Sequence, residues 1–195
     1  MDFNKIKSIL SVKTVGIAGC GGLGSNCAVA LARVGIGKLI LCDFDAIEPG
    51  NLNRQYFFYN QLGMKKATAL KENIQNINPE VIAEDHIVKL DPEIIMKLFA
   101  GCDVIVEAFD RADMKKMILE TVLCQMPDKP IVSGVGIAGW GNSNDIRMIQ
   151  SGNLYVCGDG HSEATENNPP LAPRVCMAAN MQANTVLEIL LGKNY

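Results

Sequence analysis

Residues 14–24 read TVGIAGCGGLG, and residues 25–34 continue SNCAVALARV. Thr14–Ala18 is a β-rich run broken by Gly19, and Gly24–Val34 carries apolar residues at helical spacing. Between them, Gly19-Cys20-Gly21-Gly22-Leu23-Gly24 joins strand to helix through a turn nearly free of side chains. Such a turn lets the backbone approach a phosphate without Cβ clashes, while the helix N-terminus offers unpaired N–H groups to the anion. Ser25 and Asn26 are placed to extend the cradle. The spacing also matches the dinucleotide fingerprint G-x-G-x-x-G, and Asp43 stands where a ribose-binding acid belongs. The stretch therefore predicts a nucleotide-binding strand–turn–helix, with a ligand-free packing turn as the plainer alternative.

Working outward, strand and helix patterns alternate. A short amphipathic helix over residues 1–12 precedes the first strand. Lys38–Cys42 is a second buried strand, and residues 46–60 form a loop with a short helix. Met64–Asn76 is helical by composition and is stopped by Pro79. Val81–Val88, Asp103–Glu107 and Pro130–Gly134 are further strands, separated by helices over Pro92–Ala100 and Ala112–Gln125. Ile146–Ile149 is an additional short strand in a glycine-rich stretch, residues 161–173 read as an exposed loop, and Pro173 starts a long helix through Leu191. Repeated β–α units of this size define an α/β, Rossmann-like fold, a mostly parallel sheet flanked by helices on both faces. No linker divides the chain, so 1–195 reads as a single domain.

Composition narrows the function. The chain has 195 residues, 18 Lys plus Arg against 21 Asp plus Glu, and 48% hydrophobic residues, which excludes a disordered chain. A net charge of −3 argues against nucleic acid as a partner bound over a broad basic face, and leaves room for a local cationic cluster around a polyphosphate. Residues 14–32 carry no charge, but the five glycines among them make a poor membrane helix, so no membrane partner is expected. Seven cysteines without a C-x-x-C pair read as reduced thiols in a cytoplasmic protein.

The residues after the second strand separate nucleotide classes. Residues 43–55 read DFDAIEPGNLNRQ, and Lys66 and Asp110 follow, the latter after the fourth strand. A nicotinamide-binding domain has no need of Asn51, Arg54 and Gln55 here, and no hydride-transfer site is evident. Together with Gly19, Gly21, Gly22, Gly24 and Asp43, this order of motifs resembles the ThiF/MoeB/HesA family, most of all a short ThiF. That family shares its adenylation fold with ubiquitin-activating enzymes. The resemblance runs from about Val15 to the C-terminus and includes Asn78-Pro79, Val132-Ser133-Gly134 and Leu171-Ala172-Pro173.

The resemblance implies an adenylyltransferase that uses ATP and Mg²⁺. Its substrate would be the C-terminal glycine of a small ubiquitin-fold sulfur carrier, ThiS-like, in thiazole formation for thiamine, with pyrophosphate released. It implies that Arg54 and Lys66 bind phosphates, that Asp110 holds Mg²⁺, and that Asp43 binds the ribose. It further implies that Asn51 and Gln55 contact phosphate or hold the Arg54 loop, and that the protein is a homodimer. A MoaD-like carrier or a tRNA-modifying dehydratase would use the same ATP site. A nicotinamide-dependent oxidoreductase and a non-catalytic nucleotide- or carrier-binding scaffold are the readings from other classes.

Three departures from the family pattern stand out. No arginine precedes Arg33, whereas relatives carry an N-terminal arginine that reaches the partner's ATP; Lys5 or Lys7 replaces it, or it is missing. Cys157 stands alone where relatives have a zinc-binding Cys pair, and with His161 it is two ligands short of a tetrahedral site, so zinc is not expected. The usual Asp-Asn-x-x-x-Arg is here Asp110-Arg111-Ala112-Asp113-Met114-Lys115. Cys157 is the exposed-looking candidate for a reactive thiol and Cys176 the second. Asp45 is expected on the opposite side from Asp43 by strand alternation. Trp140 marks a carrier-tail entry or a plain hairpin.

Overall fold

The computed structural model describes residues 1–192, and the last three residues of the expected 1–195 domain lie outside the described residues. Helix α1 (Phe3–Leu10) is capped by Asp2, whose Oδ1 accepts from the Lys5 N–H at 2.8 Å, and it buries Leu10. Strand β1 (Thr14–Ala18), helix α2 (Gly22–Arg33) and strand β2 (Lys38–Cys42) follow. Helix α3 (Lys66–Ile77) leads to β3 (Ile82–His86). Helix α4 (Pro92–Phe99) starts with Pro92 in its first turn and Asp91 as cap, accepting from the Ile94 N–H at 2.9 Å. Strand β4 (Val104–Glu107), helix α5 (Ala112–Gln125) and β5 (Ile131–Gly134) continue the alternation. Strands β6 (Arg147–Ser151) and β7 (Leu154–Gly158) precede helix α6 (Ala172–Leu191), which ends at Gly192 with φ 62°.

The seven strands form one sheet in the order β3-β2-β1-β4-β5-β7-β6, parallel except for the β6–β7 hairpin. Every residue of β4 and β5 is buried, and both strands are apolar runs ending in polar residues, the pattern of a sheet covered on both faces. On one face Ile17, Leu31, Leu39, Leu41 and Leu70 pack with α2, α3 and α6. On the other, Ile40, Ile95, Phe99, Ile105 and Ile118 pack with α4 and α5.

Among the described residues, β7 is the one strand absent from the sequence reading. It lies between β5 and β6, with Ile131 opposite Leu154 and Gly134 opposite Cys157. The Ile146–Ile149 segment is therefore the outer edge of the sheet. The connection is the two-residue turn Gly152-Asn153, a hairpin signal that the polar composition around it obscured. From β1 the chain proceeds outward to β2 and β3, then returns to place β4 on the other side. The strand order reverses beside β1, and the carboxyl ends of β1 and β4 open a crevice there.

Candidate functional site

A cleft of about 720 Å³ occupies that crevice. Its floor is the glycine turn after β1. Gly19 holds φ +94°, and a Cβ there would lie 2.9 Å from the carbonyl oxygen of Ala108 on the β4 side. A Cβ on Gly24 would overlap the Gly19 carbonyl at 1.8 Å. Both glycines are thus required by the turn itself, and the bare backbone of Gly21 and Gly22 lines the cleft.

Asp43 leaves the end of β2 and closes over this turn. Its Oδ2 accepts from the Cys20 N–H at 2.7 Å and its Oδ1 from the Asp45 N–H at 2.8 Å. Burial pushes its carboxyl above the ordinary value, and the two N–H bonds offset that only in part. Asp45 departs from the expectation of strand alternation. Residues two apart along an extended segment share a face, so alternation does not separate the pair, and Asp45 also lines the cleft. Its Oδ2 pairs with the Lys66 ammonium at 2.9 Å. Lys66 is almost wholly buried, whereas the neighbouring Lys65 donates to the Phe44 carbonyl at 2.8 Å from an exposed position.

The loop bearing Arg54 is braced from three directions. The Glu48 N–H donates to Asn51 Oδ1 at 3.0 Å, and the Asn51 carbonyl accepts from the N–H groups of Arg54 at 3.2 Å and Gln55 at 2.9 Å. Asn26 Nδ2 donates both to the Gly22 carbonyl at 2.7 Å and to the Arg54 carbonyl at 2.9 Å. Ser25 Oγ donates to Gly21 and accepts from the Tyr56 N–H at 2.9 Å. Ser25 and Asn26 therefore tie the Arg54 loop to the turn and do not extend the cradle. Arg54 Nη1 rests on the Gly50 carbonyl at 3.0 Å and Asn53 Oδ1 at 2.8 Å.

A polar side pocket of about 230 Å³ opens from the cleft, lined by Asp45, Asn51, Arg54, Gln55, Lys66 and Asp110. Two cations, two amides and the carboxylates of Asp45, Glu48 and Asp110 thus meet in one small volume. Gln55 is buried, and its Oε1 has no hydrogen-bond partner. Asp110 is exposed at the rim, and the N-cap position of α5 is Arg111, with no side-chain cap bond. Among the described residues no group of three or more His, Cys, Asp or Glu side chains could hold a metal ion by itself.

Beneath the far side of the cleft lie two charge clusters that sequence reading did not assemble. Glu107, fully buried at the end of β4, accepts from Lys115 Nζ at 3.0 Å on both oxygens and from the Phe109 N–H at 2.7 Å. Ser133 Oγ adds a bond of 2.5 Å, and Lys115 also donates to the Gly134 carbonyl at 2.7 Å. Lys115 keeps the positive charge of the Asp110–Lys115 motif but spends it inside this cluster. The second cluster pairs Arg174 Nη2 of α6 with Asp159 Oδ2 at 2.5 Å, and Asp159 Oδ1 accepts from the N–H groups of His161 and Ser162 at 2.8 Å. Arg174 also donates to the Gly141 carbonyl. Burial works against the Asp159 carboxylate, but the bonds from Ser162, His161 and Arg174 outweigh it and hold the carboxyl well below the usual range.

Two expectations about thiols and one about lysines change. Cys157 is not exposed: it sits in β7 under α6 at 0% exposure, 3.6 Å from Thr185 Oγ1. Burial pushes its thiol up to about 11, the reverse of what a reactive thiolate needs. Cys176 is half-buried, and burial raises it too. Lys7 pairs with Glu80 at 2.5 Å on the side where the strands begin, remote from its own cleft. Trp140 is 73% exposed beside Gly139, which bridges to Pro170.

A doubly wound sheet, a glycine turn at its switch point and a cation-lined side pocket define a nucleotide-binding domain of the adenylation-fold type. The chain belongs to the ThiF family, whose model matches residues 3–195. It is 32% identical over 149 residues to the adenylyltransferase and sulfurtransferase MOCS3 of Xenopus laevis, covering 76% of this chain and 32% of that protein. It is 32% identical over 170 residues to ubiquitin-like modifier-activating enzyme 5 of Bombyx mori, covering 82% of this chain and 40% of that protein. The chain thus spans a third to two fifths of these curated relatives. In fold it is similar to E. coli tRNA N6-threonylcarbamoyladenosine dehydratase, TcdA, crystallised with AMP. That match has a TM-score of 0.86 at 20% identity over 96% of this chain and 90% of that one. It is also similar to E. coli MccB, with a TM-score of 0.73 at 25% identity over 95% and 58% of the two chains. No helix among the described residues is long and apolar enough to cross a membrane.

Proposed function

We propose that the protein is an ATP-dependent adenylyltransferase that joins AMP to the C-terminal carboxylate of a small ubiquitin-fold carrier. The observation that carries this is the side pocket, where Arg54, Lys66 and Gln55 meet Asp110 beside a glycine turn. A dinucleotide oxidoreductase would leave that pocket without use.

The chemistry suits the residues. A C-terminal carboxylate has a pKa of about 3.3–3.7, so the nucleophile is already ionised at neutral pH and no general base is required. Its oxygen forms a bond to the α-phosphorus, the bond from that phosphorus to the β-phosphate oxygen breaks, and the electron pair leaves on pyrophosphate. The barrier is anion meeting anion, so catalysis rests on positioning and on positive charge held in place before reaction. Arg54 and Lys66 face the phosphates. Lys66 exchanges Asp45 for phosphate oxygens, and Asp43 uses its remaining lone pairs for the ribose hydroxyls. Asn51 holds the loop, and Gln55 turns its amide donor to the phosphates.

Asp110 fits a Mg²⁺ that arrives with the nucleotide, because Mg²⁺ is commonly bound by one or two carboxylates plus phosphate oxygens and water. That ion would neutralise charge on the β- and γ-phosphates. The carrier is ThiS-like in the thiamine branch, and the protein acts as a homodimer. A MoaD-like carrier shares the same chemistry and is distinguished by experiment. The test is ATP–pyrophosphate exchange with purified ThiS-like and MoaD-like carriers. Exchange with one carrier, lost in Arg54→Ala and Asp110→Ala, is expected. Tight Mg-ATP binding without exchange on any carrier would mark a non-catalytic scaffold.

A further inference from the structure

The cleft holds a further arginine that the assigned roles leave unused. Arg111 lines it beside Asp110, at the first residue before α5, so that the free N–H groups of the helix start and the guanidinium lie on the same rim. Its partner is Asp113, two residues on: Nε to Oδ1 at 3.0 Å and Nη2 to Oδ2 at 2.6 Å. The pair is open to water, with 64% and 62% of the two side chains exposed.

The cations of this rim differ in what it takes to free them. Lys115 is locked by Glu107 and the Gly134 carbonyl, so it serves the scaffold and is unavailable to a ligand. Arg54 and Lys66 line the side pocket on the opposite wall. Arg111 alone, among the cations on the β4–α5 wall, is held only by a solvent-screened pair, and its fork already adopts the two-point geometry that a phosphate would accept.

We infer that Arg111 is a catalytic residue that leaves Asp113 on nucleotide binding and clamps the β- and γ-phosphates from the β4–α5 side, opposite Arg54 and Lys66. The inference rests on the nucleotide reading of the cleft and deepens it. It supplies within one chain a cation for the charge that builds on pyrophosphate as the bond to the α-phosphorus breaks. Asp113 is then the resting partner that keeps the guanidinium in reach.

The experiment is calorimetric titration of wild-type protein, Arg111→Ala, Arg111→Lys and Asp113→Ala with Mg-ATP and, separately, with AMP. No carrier is needed. Mg-ATP affinity is expected to fall at least tenfold in Arg111→Ala, with AMP affinity unchanged within twofold. Arg111→Lys should recover part of the loss, and Asp113→Ala should bind Mg-ATP at least as tightly as wild type. Equal loss for both nucleotides, or no loss for either, would overturn the role of Arg111 while leaving the cleft a nucleotide site. Wild-type protein that binds neither nucleotide would overturn the nucleotide reading and this inference with it. Thermal melts of each variant show whether it folds, and the Lys variant carries the test if the Ala variant does not.

Discussion

The outer wall of the cleft, made by the segments that flank it on either side after β2 and β4, holds its charged side chains lightly. Arg54 rests on one carbonyl and one amide oxygen, Lys66 on a half-exposed Asp45, and Arg111 on a surface acid. On the inner wall, where the ends of β4 and β5 meet β7 and α6, charge is buried and fully engaged. Glu107 has four donor bonds from three residues and Asp159 is fixed between two N–H groups and Arg174. The first arrangement can exchange partners when an anion arrives. The second cannot, and it keeps the loops after β5 and β7 in place around the cleft. A charge free to change partners and a charge committed to structure are distinguished here by bond count and by how far the partner is buried, not by residue type.

The difference is sharpest for the Asp159–Arg174 pair. Removing one partner leaves the other buried without its counter-charge, which typically costs about 3–5 kcal/mol. Arg174→Met is therefore expected to lower unfolding free energy by about that amount in a urea titration, and the melting temperature by roughly 10 °C for a chain of this size. A change below about 1 kcal/mol would show that this wall is as loosely held as the other, since that is the ceiling for exposed pairs.

Arg54→Ala should reverse the pattern. Its guanidinium makes only local bonds to Gly50 and Asn53, so unfolding free energy should shift by about 0.5 kcal/mol or less. Pyrophosphate exchange should fall by about 10²-fold, equivalent to roughly 2.7 kcal/mol of transition-state stabilisation. Loss of stability matching the loss of rate would erase the contrast between the walls.

The same contrast explains what was legible in the sequence. The glycine turn, Asp43 and the Asn51–Gln55 run lie within a few residues of strand ends, so their positions follow from local pattern once β1 and β2 are recognised. The boundaries of β1, β2 and α5 follow from apolar runs and composition for the same reason. Strand β7 owes its place to pairing with β5, more than twenty residues upstream, and Cys157 owes its burial to that strand and to α6. Nothing local in LYVCG separates a surface hairpin from an inner strand. The Glu107–Lys115–Ser133 and Asp159–Arg174 clusters join residues from separate elements, and single charges in sequence carry no mark of such partners. Asp45 escaped for a different reason: residues two apart along an extended segment share a face, so alternation gives no ground for separating it from Asp43.

The smallest effect concerns two carboxylates, one on each wall, that shift in opposite directions. Asp159 is held below the ordinary value, so its folded form binds protons less readily than its unfolded form. Its stabilisation is complete above the unfolded value of about 3.9 and is lost as pH falls through that value towards the folded one. Asp43 is raised, chiefly by burial, so its folded form keeps the proton longer. Ionising Asp43 therefore costs stability as pH rises past the unfolded value, and acidification relieves that cost. Unfolding free energy measured between pH 3 and 6 should rise with pH less steeply in Asp159→Asn than in wild type and more steeply in Asp43→Asn. Each difference is bounded by about 1.4 kcal/mol per pH unit, the value of one proton. Slopes that shift in the same direction would mean that partial burial does not raise the Asp43 carboxyl at the glycine turn and that its wall is held no differently from the other.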